Sequence, residues 1–215
     1  MTILQEIESI VGKKGLIIGD DVFNRKAGIW IDDGIRADAI VRPKDTYELA
    51  KVLSICNKHS QAVVPHGGLT GLAEGAISQQ GQIAISSERL TAIEEVDEIG
   101  RTMTVEAGVP LEKAQQEAEK YNLMLPVDLG ARGSCTVGGN ISTNAGGNMV
   151  IKYGMMRDSV LGLEAVLADG QIMTSMNQML KNNSGYDLKQ LFIGTEGTLG
   201  FITKAVLRLR EKPKS

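Results

Sequence analysis

The chain has 215 residues, 42% of them hydrophobic and 23% charged, with a net charge of −3. That length buries a core without disulfides or metals, and the negative balance does not suggest a nucleic-acid binder, which wants a basic stripe. No apolar run is long enough to be a membrane span, and the N-terminus MTILQEIESI, with two Glu and no basic region, does not read as a signal peptide.

Ile3 to Val11 reads as a helix, with Ile3, Ile7 and Ile10 on one face. Gly12 to Arg36 reads as irregular. Ala39 to Arg42 is a predicted strand before Pro43. Asp45 caps the next helix, with Glu48 as the other half of a capping box, and Leu49, Val52, Leu53 and Cys56 give it an apolar face. His59 sits at that helix's end as a surface or capping residue. Ala62 to Pro65 is the next strand, so strand, helix and strand read as a right-handed βαβ unit with parallel strands. Further strands are predicted at Gln82–Ser86, Ala92–Val96 and Thr102–Glu106. Pro110 suits the first turn of a helix running to about Tyr121, with Leu111, Ala114 and Ala118 inward. Asp128 to Met156 is glycine-rich and carries no clear period. Gly162–Leu167 and Gln171–Thr174 form a hairpin around Asp169-Gly170. A short helix ends near Phe192, and Leu199–Leu209 is the last strand.

Two cysteines, Cys56 and Cys135, make no disulfide framework and read as small packed residues of a reducing compartment. With His59 and His66 the only histidines, no protein-built metal site is expected. There is no G-x-S-x-G for a serine nucleophile. Arg132, Lys152 and Arg157 read as solvated surface.

Glycine is the compositional outlier: 25 residues, about 12% against a norm of about 7%. Ten of the 25 fall in residues 65–75 and 130–147. The first cluster, Pro65-His66-Gly67-Gly68-Leu69-Thr70-Gly71, follows a predicted strand. The second runs from Asp128 through Gly147 and mixes Gly with Ser and Thr. Glycines let successive backbone N–H groups approach one anion, and few Lys or Arg stand nearby. Neither G-x-x-x-x-G-K-[ST] nor a strand–G-x-G-x-x-G–helix is present, which disfavours a nucleoside-triphosphatase or an ordinary nicotinamide fold.

PHGGLTG resembles the pyrophosphate loop of the FAD-binding domain of the vanillyl-alcohol oxidase and para-cresol methylhydroxylase superfamily. DLGARGSCTVGGNISTNAGG, Tyr153-Gly154, VLGLE, LADG, NSGYDL and FIGTEGTLG follow in the family's order. Together they resemble flavoproteins that oxidise D-2-hydroxy acids: D-lactate, glycolate and, most closely, D-2-hydroxyglutarate. The resemblance spans roughly residues 30 to 210.

It implies an α+β, PCMH-type FAD-binding domain over residues 1–215. Two α/β subdomains, about 1–95 and about 96–215, would sandwich the cofactor. His66, Gly67, Gly68, Leu69, Thr70 and Gly71 would wrap the pyrophosphate. Asp128, Gly133, Ser134, Thr136, Gly138, Gly139 and Asn140, with Thr143, Asn144, Gly146 and Gly147, would line the ribityl chain and flavin. Gly197 and Ile202 would meet the adenine side. Family members that attach flavin covalently through this loop carry His after the paired glycines. Leu69 stands there, so FAD is expected to be non-covalent.

The resemblance further implies hydride transfer from the substrate α-carbon to flavin N5. A small 2-hydroxy acid would be the substrate, and a protein or quinone the electron acceptor. The base and carboxylate-holding groups would sit in a C-terminal substrate domain absent from this chain. No catalytic residue is therefore named here, and the chain, a fragment or a short subunit, is expected to be inactive alone. The alternatives are a non-catalytic FAD-binding electron-transfer subunit and a nucleotide-sugar enolpyruvyl reductase. The expected location is cytoplasmic, with peripheral attachment at the inner membrane as a variant.

Overall fold

The structure is a computed structural model that describes residues 1–213. In chain order the elements are α1 (Ile3–Val11), β1 (Leu16–Ile18), α2 (Asp20–Phe23), β2 (Lys26–Gly28), β3 (Ile31–Gly34), β4 (Ala39–Val41), α3 (Thr46–Lys58), β5 (Val63–His66) and β6 (Ile83–Ser86). They continue as β7 (Ile93–Asp97), β8 (Thr102–Glu106), α4 (Leu111–Glu119), β9 (Leu123–Met124), α5 (Val137–Ser142), α6 (Val150–Tyr153) and α7 (Met156–Ser159). The last are β10 (Val160–Val166), β11 (Ile172–Ser175), α8 (Lys189–Phe192), β12 (Phe201–Arg208) and β13 (Arg210–Glu211).

Two sheets carry the fold. The first has the order β1-β4-β6-β5, with β4, β6 and β5 parallel and β1 antiparallel at one edge. Its inner strands, β4 and β6, are buried at every position, as strands covered on both faces must be. One face packs on α1 and α3 through Ile7, Leu49, Val52, Leu53 and Cys56. Each such buried side chain contributes about 1.5–3 kcal/mol. Val22, Ile35, Ala37, Ile40 and Ala84 form a separate cluster, against which Leu69 packs. The second sheet is antiparallel, in the order β11-β10-β12-β8-β7. Its core includes Leu111, Ala114 and Ala118 of α4 and Val137 and Ile141 of α5.

The two layers meet at α3 and β10–β12. Val166 and Phe201 belong to the α3 cluster, and Glu164 accepts hydrogen bonds from Thr46 (2.6 Å) and Thr203 (2.9 Å). Asp169-Gly170 does turn β10 into β11, with Gly170 at φ +90°.

Several local expectations are corrected. Residues 12–36 are not irregular: they hold β1, α2 and the β2–β3 pair, strands of three or four residues too short to show a period. The strands flanking α3 are both parallel to β6, which inserts between them, so they are not neighbours. Asp45 caps α3 by accepting from Glu48 N (2.8 Å), but Glu48 reaches back to Lys44 N (2.9 Å), one residue outside a regular capping box. Pro110 is the residue before α4, with ψ 141°, rather than in its first turn. The glycine-rich stretch condenses into α5, α6 and α7. His59 stands at the C-terminal cap of α3, with Nε2 3.1 Å from Glu6 Oε1. Cys56 is buried, and burial pushes its thiol up to about 11.

Candidate functional site

The strand β5, at the sheet edge with Val64 and His66 buried, pairs with β6 as far as His66, and there the chain leaves the sheet as a loop over residues 67–76. Opposite it, Thr136 caps α5 and sets that helix against β8. The two segments face each other across a cleft of about 700 Å³, within the usual size of a cofactor site. The segment 196–202, leading into β12, contributes Glu196, Gly197, Gly200, Phe201 and Ile202 to its lining.

Two contacts show why glycine stands at the crossing. A Cβ on Gly68 would lie 1.9 Å from Ser134 O and 2.9 Å from Cys135 Cα, so the two glycine segments touch backbone to backbone. A Cβ on Gly138 would lie 2.6 Å from Ala107 Cβ, so α5 presses directly on the end of β8.

The segments differ in what they offer a ligand. Among the described residues, no backbone N–H from Gly67 through Ala76 donates a hydrogen bond to the protein. In α5 the opening amides are engaged. Val137 N donates to Val109 O (2.9 Å), Gly138 N to Ala107 O (2.8 Å) and Gly139 N to Thr136 Oγ1 (3.3 Å). The loop therefore supplies donors, while α5 supplies a flat wall. Asn140, only 4% exposed, adds a side-chain donor on that wall: its Nδ2 has no hydrogen-bond partner. Among the described residues, no lysine or arginine lines the cleft, whose charged residues are Glu74 and Glu196. Any anion held here is held by amide dipoles.

Of the residues singled out from sequence, the cleft brings together His66, Gly67, Gly68, Leu69, Thr70 and Gly71 with Thr136, Gly138, Gly139, Asn140 and Thr143. Gly197 and Ile202 line it as well. Six stand back from its lining. Asp128 pairs with Arg132 (3.1 Å) and bridges Gly147, where a Cβ would lie 1.9 Å from Asp128 O. Gly133 lies toward Glu112, Ser134 lends its carbonyl to the Gly68 crossing, and Gly146 lies beside Val150. Asn144 spends its Oδ1 on Arg157 N (3.0 Å). These residues shape the second segment from behind.

Arg157 corrects another expectation. Its guanidinium donates to Ile193 O (2.6 Å) and Gln190 O (3.2 Å), tying α7 to α8 rather than pointing into solvent. Cys135 lines the cleft at 3% exposure, and burial raises its thiol pKa. Sequence reasoning missed the far arm of the loop, Leu72 to Ile77, and also Glu196 and Gly200. Gly75 was the available signal, since it continues the glycine spacing of the first cluster.

Strain gathers here. Leu69 (φ +53°), Glu74 (φ +62°) and Glu196 (φ +54°) are all left-handed non-glycine residues on the cleft. Such conformations persist where surrounding structure imposes them, and they cluster at binding sites.

Comparisons with known proteins identify the family and the fold. Residues 37–175 match the family model described as FAD binding domain. The mitochondrial D-2-hydroxyglutarate dehydrogenase of Danio rerio is 44% identical over 179 residues, covering 83% of this chain and 34% of that protein. The D-2-hydroxyglutarate dehydrogenase of Xanthomonas citri pv. viticola is 46% identical over 175 residues, covering 81% and 37%. A putative mitochondrial D-lactate dehydrogenase of Schizosaccharomyces pombe is 39% identical over 220 residues, covering 99% and 42%. The chain thus spans between a third and a half of the length of these relatives. Among solved structures, an alkyldihydroxyacetonephosphate synthase superposes with a TM-score of 0.87 at 21% identity, covering 99% of this chain and 41% of that one. A substrate-bound p-cresol methylhydroxylase superposes at 0.82 and 21%, covering 99% and 44%. At that identity the likeness is one of fold.

Proposed function

From the premise that this chain belongs to the FAD-binding domain family, we propose that it is the cofactor half of a flavin-dependent D-2-hydroxy-acid dehydrogenase. The single observation that carries the binding mode is the run of amides from Gly67 to Ala76, none spent within the protein, on a cleft without cations. A diphosphate fits such a loop. It needs several donors at once, and backbone N–H groups provide them without the bulk of side chains. The flat start of α5, with Gly139 bare and Asn140 Nδ2 free, suits the larger planar part of FAD and one of its acceptor atoms.

When bound, FAD supplies the hydride acceptor for oxidation at the α-carbon. The residues of this chain hold and orient it. The 67–76 loop fixes the diphosphate, and α5 and the 196–202 segment fix the rest by contact. Attachment is non-covalent, since Leu69 offers no nucleophile where a histidine would be needed. D-2-hydroxyglutarate is the favoured substrate, because relatives named for it share 44% and 46% identity with this chain. The chain matches only 34% and 37% of those proteins, and the groups that hold the substrate carboxylate and take the hydroxyl proton are proposed to lie in their remainder.

The test is to titrate the purified chain with FAD and follow flavin fluorescence and the melting temperature. Saturable quenching with a rise in Tm is expected, and acid precipitation should release all the flavin. An unmoved Tm with no quenching refutes the reading.

A further inference from the structure

We propose that His66 is the positioning residue of the diphosphate loop, closing residues 67–76 at their base by donating from Nε2 to the carbonyl oxygen of Ala76. The inference rests on the FAD reading above and adds what shapes the loop.

His66 ends β5 and is 3% exposed. Its backbone is fixed on the sheet side, where its carbonyl accepts from Ser87 N (3.0 Å). Its side chain crosses the loop, with Nε2 2.9 Å from Ala76 O. A carbonyl oxygen has no proton to give, so Nε2 carries the hydrogen and the tautomer is set.

The loop it spans is packed at Gly68 against the Ser134 backbone but is not hydrogen-bonded there. Its ten amides make no hydrogen bond to the protein, and Leu69 and Glu74 are both held at positive φ. Leu69 anchors the near arm by packing against the Val22–Ile40 cluster. The far arm enters the next turn only at Ile77 N, which donates to Glu74 O (3.0 Å). Among the described residues, without the imidazole bridge no hydrogen bond joins the two ends of this ten-residue stretch. Binding must then bear the entropy of gathering its donors around one ligand.

The imidazole does this as a neutral group. The charged groups facing it are Arg25, from the coil after α2, and Glu88, just after β6. These two pair with each other, and Arg42 shares the same carboxylate (2.8 Å). Burial, the main cause, holds the His66 pKa down at about 4, so at neutral pH His66 brings a hydrogen bond and no charge. Its contribution is therefore shape: it sets where the amides point rather than attracting the diphosphate itself.

The experiment compares the whole chain with His66→Leu, which removes the donor but keeps an apolar body, and His66→Gln, whose amide nitrogen can donate across the same gap. FAD and ADP, which carries the diphosphate without the flavin, are titrated against each, and Tm is measured without ligand. His66→Leu should weaken FAD and ADP by the same factor, about tenfold, the scale of one well-placed hydrogen bond. His66→Gln should return both to within about twofold of the parent. FAD affinity unchanged in His66→Leu overturns the proposal, and so does a loss for FAD without one for ADP. Failure of the parent chain to bind FAD would refute the function reading itself, a separate and visible outcome. Should His66→Leu not fold, nitrogen NMR of the parent decides. The chain has two histidines, so His66 is readily assigned. A neutral ring protonated at Nε2 near pH 6 is expected, and a ring protonated at Nδ1, or a charged ring, overturns the proposal.

Discussion

Gly139→Ala tests the α5 wall of the cleft separately from the fold. Gly139 sits in the first turn of α5 with no positive φ, so alanine fits its backbone. The nearest atom to an added Cβ is Thr136 Oγ1, at 3.2 Å. Replacing a helical glycine gains about 0.5–1 kcal/mol of backbone entropy. Pressing on Thr136, whose hydroxyl caps the same turn at 3.3 Å, takes part of that back. Ligand-free stability should therefore stay within about 1 kcal/mol of the parent, read as a urea midpoint. The methyl group otherwise enters the cleft. Overpacking a filled contact costs about 1–3 kcal/mol, so FAD should bind roughly 5- to 150-fold more weakly. The assay is a fluorescence titration at fixed temperature beside the urea curve. Unchanged FAD affinity would refute the claim that α5 forms a wall of the site. A large loss of stability would refute the open geometry at Gly139.

Gly68→Ala should behave differently, since its Cβ would strike Ser134 O at 1.9 Å. The loops must part by more than an ångström, so urea stability should fall by at least about 1–3 kcal/mol together with FAD affinity. Low pH should destabilise the ligand-free chain partly through His66. Its folded pKa of about 4 lies below the unfolded value near 6.5, so its stabilisation is complete above about pH 6.5 and is lost as pH falls toward 4. The share is about 3 kcal/mol, and urea midpoints at pH 7.5 and 4.5 should differ less in His66→Gln than in the parent. Glu88→Gln should cost about 1–2 kcal/mol. Burial works against the Glu88 charge, but Arg25 and Arg42 outweigh it and hold the carboxyl below the usual range, and its 30% exposure moderates the loss. Thermal melting at two salt concentrations checks this, the parent losing more than the variant as salt rises.

The long amphipathic elements were legible because one residue pattern decides each of them. The spacing of Leu49, Val52, Leu53 and Cys56 fits only a helix with one buried face. The Asp169-Gly170 turn suits only a tight hairpin. The pairing of strands was not legible: that β6 lies between β4 and β5 depends on tertiary packing, which no local pattern encodes. The β2–β3 pair escaped because Asp32 and Asp33 in a four-residue strand look like loop. At the site, glycine marked where the backbone must come close, at Gly68 and Gly138, but could not say which amides would remain free. That depends on Val109 and Ala107 offering carbonyls to α5, while nothing offers any to the 67–76 loop. Nor could the motif show that Asp128 pairs with Arg132 and that Asn144 accepts from Arg157 N.

The place of β12 has a consequence for how the protein is made. It lies in the middle of its sheet, between β10 and β8, yet begins at residue 201, after every other strand of that sheet. At about 5–20 residues per second, β8 waits on the order of 5–20 s on the ribosome before its partner is synthesised. Throughout that interval β7 and β8 present an open edge, the kind of surface on which nascent chains aggregate or recruit chaperones. The 196–202 segment that lines the cleft arrives with β12. FAD therefore meets the full lining of the cleft only after β12 has been synthesised.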